Sequence, residues 1–196
     1  MSKPDPAASK KERNKTIRWV VTIFIVTIFV SGIISFISER IMESSTMVVA
    51  FLILMVIILL GIVFDVVGVA VTSADEKPFH SMAARKVPGS LEAIRLLRNA
   101  ERVSSICNDV VGDICGVVSG AASATIALQV INNFNFSGEK MISLVMSAVV
   151  AGLTVGGKAI GKTMAIKSCT EIVTAVGKFI YFLNSIPRVF KKKNNS

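Results

Sequence analysis

TMVVAFLILMVIILLGIVFDVVGVAVT, residues 46–72, is apolar almost throughout and carries a single charge, Asp65. A helix needs about 20 apolar residues to cross the hydrocarbon core of a bilayer. This stretch is longer than that, and its Val, Ile and Leu content leaves no polar face for water. It is therefore read as a membrane-spanning helix, and the rest of the chain is read outward from it.

Upstream, residues 17–38 form a second long apolar run, with Arg18 and Trp19 at its start as interfacial anchors. No small-x-small cleavage site follows it before Glu39 and Arg40, so an uncleaved span is expected rather than a signal peptide. Downstream, residues 106–131 (ICNDVVGDICGVVSGAASATIALQVI) and 141–161 (MISLVMSAVVAGLTVGGKAIG) are less hydropathic because they are rich in Gly, Ala and Ser. Small residues dilute the hydropathy signal but suit spans that pack on other helices. The expected fold class is an all-α integral membrane protein with four spans and additional amphipathic helices. A soluble domain of 196 residues could not hide a composition that is 52% hydrophobic, with a mean hydropathy of +0.65.

Lys and Arg number 22 against 13 acids, a formal net charge of +9, and they occur in blocks. One block lies in the tail at 1–16 with Arg18. A second lies between the second and third spans (Lys77, Arg85, Lys86, Arg95, Arg98, Arg102). The third runs from Lys158 through 162–196, whereas the two remaining loops carry only Arg40 and Lys140. Basic loops mark the cytoplasmic side, so the expectation is a cell-membrane protein with both termini in the cytoplasm. The blocks lack the interleaved aromatics of a nucleic-acid surface, so the bilayer is the expected partner and nucleic acid is not.

Two further helices are expected on the basic side. After Pro88-Gly89, a helix over about 90–104 is predicted, with Ser90 as its cap and Leu91, Ile94, Leu97 and Ala100 on one face. Residues 172–186, with Val173, Val176, Ile180 and Leu183 at helical spacing and Lys178 among them, suit an interfacial helix better than a fifth crossing.

Charge in hydrocarbon is expensive and is usually kept for function or for a fixed partner. Asp65, Asp109, Asp113 and Lys158 all fall within a few turns of the basic end of their spans. The plainer reading makes the aspartates near-surface charges wetted by headgroup water. Glycines recur every four residues at Gly112, Gly116 and Gly120 in the third span and, in the fourth, at Gly152 and Gly156 and again at Gly157 and Gly161. Such ridges let helix backbones approach closely, and a homodimer through the Gly112 ridge is expected. Cys107, Cys115 and Cys169 have no metal-ligand spacing, and His80 stands alone. No Ser-His-Asp, HExxH or paired-acid arrangement occurs, so an enzyme is not expected.

The order FDVVGVAVTSA (64–74), a basic loop, LRNAERVSSI (97–106), a small-residue span and GGKAIGKTMA (156–165) resembles the transmembrane domain of the cyclin M / CorC (CorB) magnesium and cobalt transporter family. In that family a helix with an "ENPERFLST"-like motif precedes a small polar span, and the last span ends in "GEILPKT". The likeness covers roughly residues 55–190, with the first span an addition. It implies a divalent cation held in the membrane by hydroxyl, amide and carboxylate oxygens. Ser105 keeps the family serine, and Gly157, Lys162 and Thr163 keep parts of the last motif. The family's glutamate position holds Lys158, its proline position holds Gly161, and its first-span serine–glutamate pair falls near Asp65 and Gly68. The nucleotide-binding regulatory domain of that family has no counterpart within these 196 residues.

Two functions are thus open. In the first, Asp65, Ser105, Asn108, Asp109 and Asp113 donate oxygens to a Mg2+-like ion that the protein moves or senses. Mg2+ favours oxygen ligands in octahedral geometry, and beyond that ion no cofactor is expected. In the second, the protein is a non-transporting scaffold or accessory subunit in which Lys158 pairs with an intramembrane aspartate and replaces the cation.

Overall fold

The computed structural model describes residues 6–43, 45–134 and 139–193. Within them the chain is all helix. Helix α1 covers Pro6–Glu43, α2 Met47–Ser73, α3 Lys77–Ala84, α4 Ser90–Arg98 and α5 Ala100–Ser104. A π-helical turn at Ser105–Gly112 joins α5 to α6 (Asp113–Phe134), and α7 (Glu139–Lys167) and α8 (Cys169–Lys193) follow.

Four helical stretches are long and apolar enough to cross a membrane: Thr16–Met42, Met47–Ser73, Ala100–Asn132 and Lys140–Lys167. They correspond to the four expected spans. The third starts earlier than residue 106, because the helix expected over 90–104 is divided in two. It breaks at Asn99, where φ is −116°, and its last five residues continue into the span as α5. Ser90 does not cap that helix. Gly89 takes the cap position in a left-handed conformation, φ 84°, and the Ser90 hydroxyl donates back to the Val87 carbonyl at 2.7 Å. The interfacial segment is longer than 172–186, since α8 continues through Pro187 to Lys193.

The direction of each span follows from what its ends touch. At the start of the apolar stretch of α1, Trp19 lies under the Arg102 guanidinium, 5.4 Å from ring centroid to Cζ, so that stretch begins beside α5. The far end of α1 meets the start of α2 and the far end of α6. Met42, Ala50, Leu54, Ile58, Ala122, Ile126 and Val150 bury one another there. At the same end the Gln129 side chain donates to the Met42 carbonyl at 3.0 Å, supplying a partner to one of the last carbonyls of α1. The four spans are therefore antiparallel in succession, and α3, α4 and α8 gather at the end where α2 and α7 finish. Lys77, Arg85, Lys86, Arg95, Arg98, Arg102, Lys162, Lys167 and Lys178 belong to this end, while Arg40 and Lys140 belong to the other.

Outward faces of the spans carry Phe24, Phe29, Val48, Leu52, Leu128, Leu144, Val155 and Ile160, all exposed. Water would penalise such a surface at roughly 25 cal/mol per Å2 of apolar area, and lipid does not. The chain is accordingly a multi-pass membrane protein, with α2 at its centre, packed against both α6 and α7.

A second core closes the basic end. Phe79 of α3, Ala93, Ile94 and Leu97 of α4, Ala70 and Val71 of α2, Ala165 of α7 and Val173 of α8 are all buried together. Its tightest point is the crossing of α4 and α8. A Cβ on Gly177 would lie 2.5 Å from the Gly89 carbonyl oxygen and 3.1 Å from the Ala93 Cβ. Two glycines and an alanine bring backbone onto backbone here. Gly177→Leu is expected to lower stability by about 1–3 kcal/mol through overpacking and to expose the 84–90 turn to protease. Ala175→Leu, on the exposed side of α8, should leave both unchanged. Equal melting temperatures for the two variants would contradict the crossing.

Candidate functional site

Gly61, Asp65 and Gly68 lie at helical spacing on the buried face of α2. The face is closed by α7 and by the third span, and small residues set the separation. A Cβ on Gly61 would lie 2.9 Å from the Cys115 Cβ, and one on Gly161 would lie 2.7 Å from Val66 Cγ2. A Cβ on Gly157 would strike Ile62. With no room for larger side chains, Asp65 is enclosed and only 3% exposed.

The cation nearest Asp65 is Lys162, whose Nζ is 3.9 Å from Oδ2. That is an electrostatic approach beyond hydrogen-bond reach. Oδ2 is buried and has no hydrogen-bond partner among the described residues. Side-chain exposure is uneven, 53% for Lys162 and 5% for Asp65, so the ammonium reaches in from a wet surface while the carboxylate stays inside.

Asn108, from the third span, covers the next turn of that face. Its side chain rests on Gly68, where an added Cβ would collide with the amide oxygen. Gly68 follows Asp65 by three residues, about 4.5 Å along the axis at 1.5 Å per residue. The Asn108 Nδ2 donates to the Ser104 hydroxyl at 3.2 Å, while Oδ1 is buried and unpartnered. Asn108 projects from the π-turn. Such turns are rare and concentrate at functional positions, and this one shifts the register of the third span. Cys107 and Gly112, five residues apart, both face inward.

That shift explains which expected donors meet and which do not. Asp65 and Asn108 converge on the interior and Ser105 is half-buried, whereas Asp109 and Asp113 are exposed on the outer side of the third span. Among the described residues no three His, Cys, Asp or Glu side chains come together as a metal cluster. The five-residue oxygen set is thus divided, with one carboxylate and one amide inside.

Lys158 also differs from expectation. It forms none of the described ion pairs, and its Nζ donates to the Gly112 carbonyl at 3.5 Å, closing a gap between α7 and the π-turn. Lys162, one turn further on, is the partner of Asp65. The glycine ridges divide as well. Gly112 faces Lys158, but an added Cβ on Gly116, Gly120, Gly152 or Gly156 would have nothing within 4 Å. Positions four apart drift by about 40° per step around a helix of 3.6 residues per turn, so Gly120 has rotated out to an exposed position. The close contacts fall instead on Gly61, Gly68, Gly157 and Gly161.

Compared with family models, curated proteins and solved structures, the chain matches none. The chemistry of the site therefore rests on its own geometry. Buried acceptors without partners each cost about 1–3 kcal/mol, and more if charged. Asp65 Oδ2 on α2 and Asn108 Oδ1 on the π-turn that packs against α2 are both buried and unmet, and the ammonium 3.9 Å from the carboxylate meets only the first, and only in part.

Gln129 Oε1, at the opposite end of the bundle, is a third buried oxygen without a partner among the described residues. An amide in an apolar span is the signal that could have found it, as it did Asn108.

The fit of Asn108 against Gly68 is open to a direct check. Gly68→Ala should destabilise the protein by about 1–3 kcal/mol through overpacking. Gly68→Ala combined with Asn108→Ala should recover most of that loss, because the second change removes the colliding amide. If the double variant melts no higher than Gly68→Ala alone in a thermal scan, Asn108 does not rest on Gly68.

Proposed function

We propose that this is a cation-handling membrane protein of the divalent, magnesium or cobalt type, with the ion as its cargo and with Asp65 and Asn108 as its intramembrane oxygen donors. The observation that carries the reading is the two buried, unpartnered oxygens, Asp65 Oδ2 on α2 and Asn108 Oδ1 on the π-turn packed against α2 at Gly68. The sequence likeness to the cyclin M / CorC family supports the same ion class, and the carbonyls of a widened turn are further potential ligands. Asp109 and Asp113, exposed near the basic end of the third span, would draw cations toward the site rather than hold them.

On this reading the basic end lies in the cytoplasm of a cell membrane, following the distribution of Lys and Arg. Helix α8 is then interfacial, its exposed Phe179, Phe182 and Leu183 turned to the headgroup boundary. The proposal also includes a homodimer. The open positions at Gly116 and Gly120 border a cavity of about 180 Å3 between α6 and α7, lined by Ser119, Ser123, Ser147, Ala151 and Thr154. Close approach of a second copy would use that small-residue surface.

A second reading has its own support. The Lys162–Asp65 approach is what a non-transporting scaffold would use to neutralise an intramembrane carboxylate permanently. Flux separates the two. Proteoliposomes loaded with a metal-quenched dye should take up Co2+ in competition with Mg2+, and Asp65→Asn should reduce the rate at least tenfold, a loss of about 1.4 kcal/mol or more in transition-state stabilisation. Uptake by the parent no faster than by empty liposomes would favour the scaffold.

Sidedness is tested separately in a cysteine-free background. Thr46→Cys should react with an impermeant maleimide in intact cells and Ser81→Cys should not. Labelling of Ser81→Cys from outside would reverse the orientation.

A further inference from the structure

We propose that Lys162 is a displaceable, tethered counter-ion, which occupies the electrostatic place of the cargo at Asp65 and swings to solvent when a divalent cation arrives. The inference rests on the cation reading above and concerns how the site is regulated when no ion is present.

Three observations support it. The first is the looseness of the pair. At 3.9 Å the ammonium lies outside hydrogen-bond distance, and Asp65 Oδ2 keeps no hydrogen bond. A permanent replacement for a metal would be expected to form a short, charge-assisted bond of about 2.7–2.9 Å. The second is the asymmetry of exposure, 53% for the Lys162 side chain against 5% for Asp65. Four methylenes carry the ammonium from backbone to water, so it leaves by rotation of its own side chain while the backbone stays in place. Gly161 fixes that backbone, since α7 is pressed onto Val66 there. The third is the contrast with Lys158, one turn earlier on α7. Lys158 is only part-exposed and its Nζ is engaged with the Gly112 carbonyl. Of the two lysines, one points its ammonium at a carbonyl inside the bundle and the other stands largely in solvent.

Charge forces the exchange. A dication on the Asp65 oxygens and an ammonium 3.9 Å from the same atom would repel each other across a poorly screened interior. Binding of the ion therefore requires departure of the lysine, and departure of the ion draws the lysine back. The buried carboxylate thus remains balanced in both states, and every ion must compete with a built-in rival. Apparent affinity is then lower than intrinsic affinity by the fraction of molecules in which the lysine is out.

The test uses the full chain in nanodiscs, with MgCl2 titrated at constant ionic strength and melting temperature as the readout. Lys162→Met should lower the half-saturating Mg2+ concentration about fivefold, the equivalent of about 1 kcal/mol of ion pairing. Lys162→Arg should raise it, because the guanidinium fork holds a carboxylate more firmly. In the parent, Mg2+ should also speed acylation of Lys162 Nζ by an amine-reactive ester, quantified by peptide mass spectrometry. In Asp65→Asn that acylation should be fast with or without Mg2+. Asp65-dependent Mg2+ stabilisation whose midpoint does not fall in Lys162→Met would overturn the inference while leaving the cation reading intact. So would a midpoint that falls while acylation of Lys162 in the parent stays insensitive to Mg2+. Absence of any Mg2+ effect in both the parent and Lys162→Met would overturn the inference together with the reading beneath it.

Discussion

A carboxylate enclosed by three membrane helices needs a positive charge within reach, and much of this structure is arranged around that need at Asp65. Its side chain is enclosed, with the residue 3% exposed, and desolvating an unpaired carboxylate costs several kcal/mol even after the surroundings relax. The enclosure is a consequence of packing. Gly61 and Gly68 clear the face of α2 on either side of Asp65, Gly157 and Gly161 clear the face of α7, and the helices close to distances that larger side chains would forbid. Once α7 is drawn in by its glycines, its neighbouring lysines arrive at the site. Lys158 reaches the π-turn and Lys162 reaches the carboxylate.

The basic end holds this arrangement steady. Helices α3, α4 and α8 pack with the last turns of α2 and α7 into a core containing Phe79, Ile94, Leu97 and Val173. The Gly89–Gly177 crossing ties α8, and through it the end of α7, to the start of α4. At the opposite end the attachment of α1 is lighter. Its most apolar 18-residue window contains no buried residue, and its principal neighbour is α6. This is consistent with a first span added beside a compact unit formed by the other three. The site sits between two cores rather than inside either, where rotation of a side chain need not disturb the packing around it.

Composition and periodicity made the all-α class and the four spans legible, because lipid demands long apolar runs and self-satisfied backbone. Asp65 was legible for the same reason, as a lone charge in the most apolar segment. The geometry around it was not, and the causes are specific. Depth along the spans grouped Asp109 and Asp113 with Asp65 but does not say which way they point, and with the π-turn at Ser105–Gly112 shifting the register of the third span both are exposed, as the plainer reading of near-surface charges had it. On α7, residues one turn apart differ in depth toward the basic end. The lysine deeper in the span, Lys158, was the natural partner on paper, and Lys162 is the one that arrives. Of the two glycine pairs read every four residues on α7, Gly157 and Gly161 make the contacts, while Gly152 and Gly156, about 100° away around the helix, open outward.

The central claim is that Asp65 and Lys162 balance each other in the absence of bound cation. A double-mutant cycle in Mg2+-free buffer tests it most directly, with unfolding free energies measured for the parent, Asp65→Asn, Lys162→Met and the double variant. The expected coupling is at least about 0.5 kcal/mol, the range for residues in contact, with the double variant more stable than the two single losses imply. The same cycle run with Lys158→Met should give none. Additivity within about 0.3 kcal/mol for Asp65 and Lys162, or a coupling that emerges with Lys158 instead, would contradict that balance.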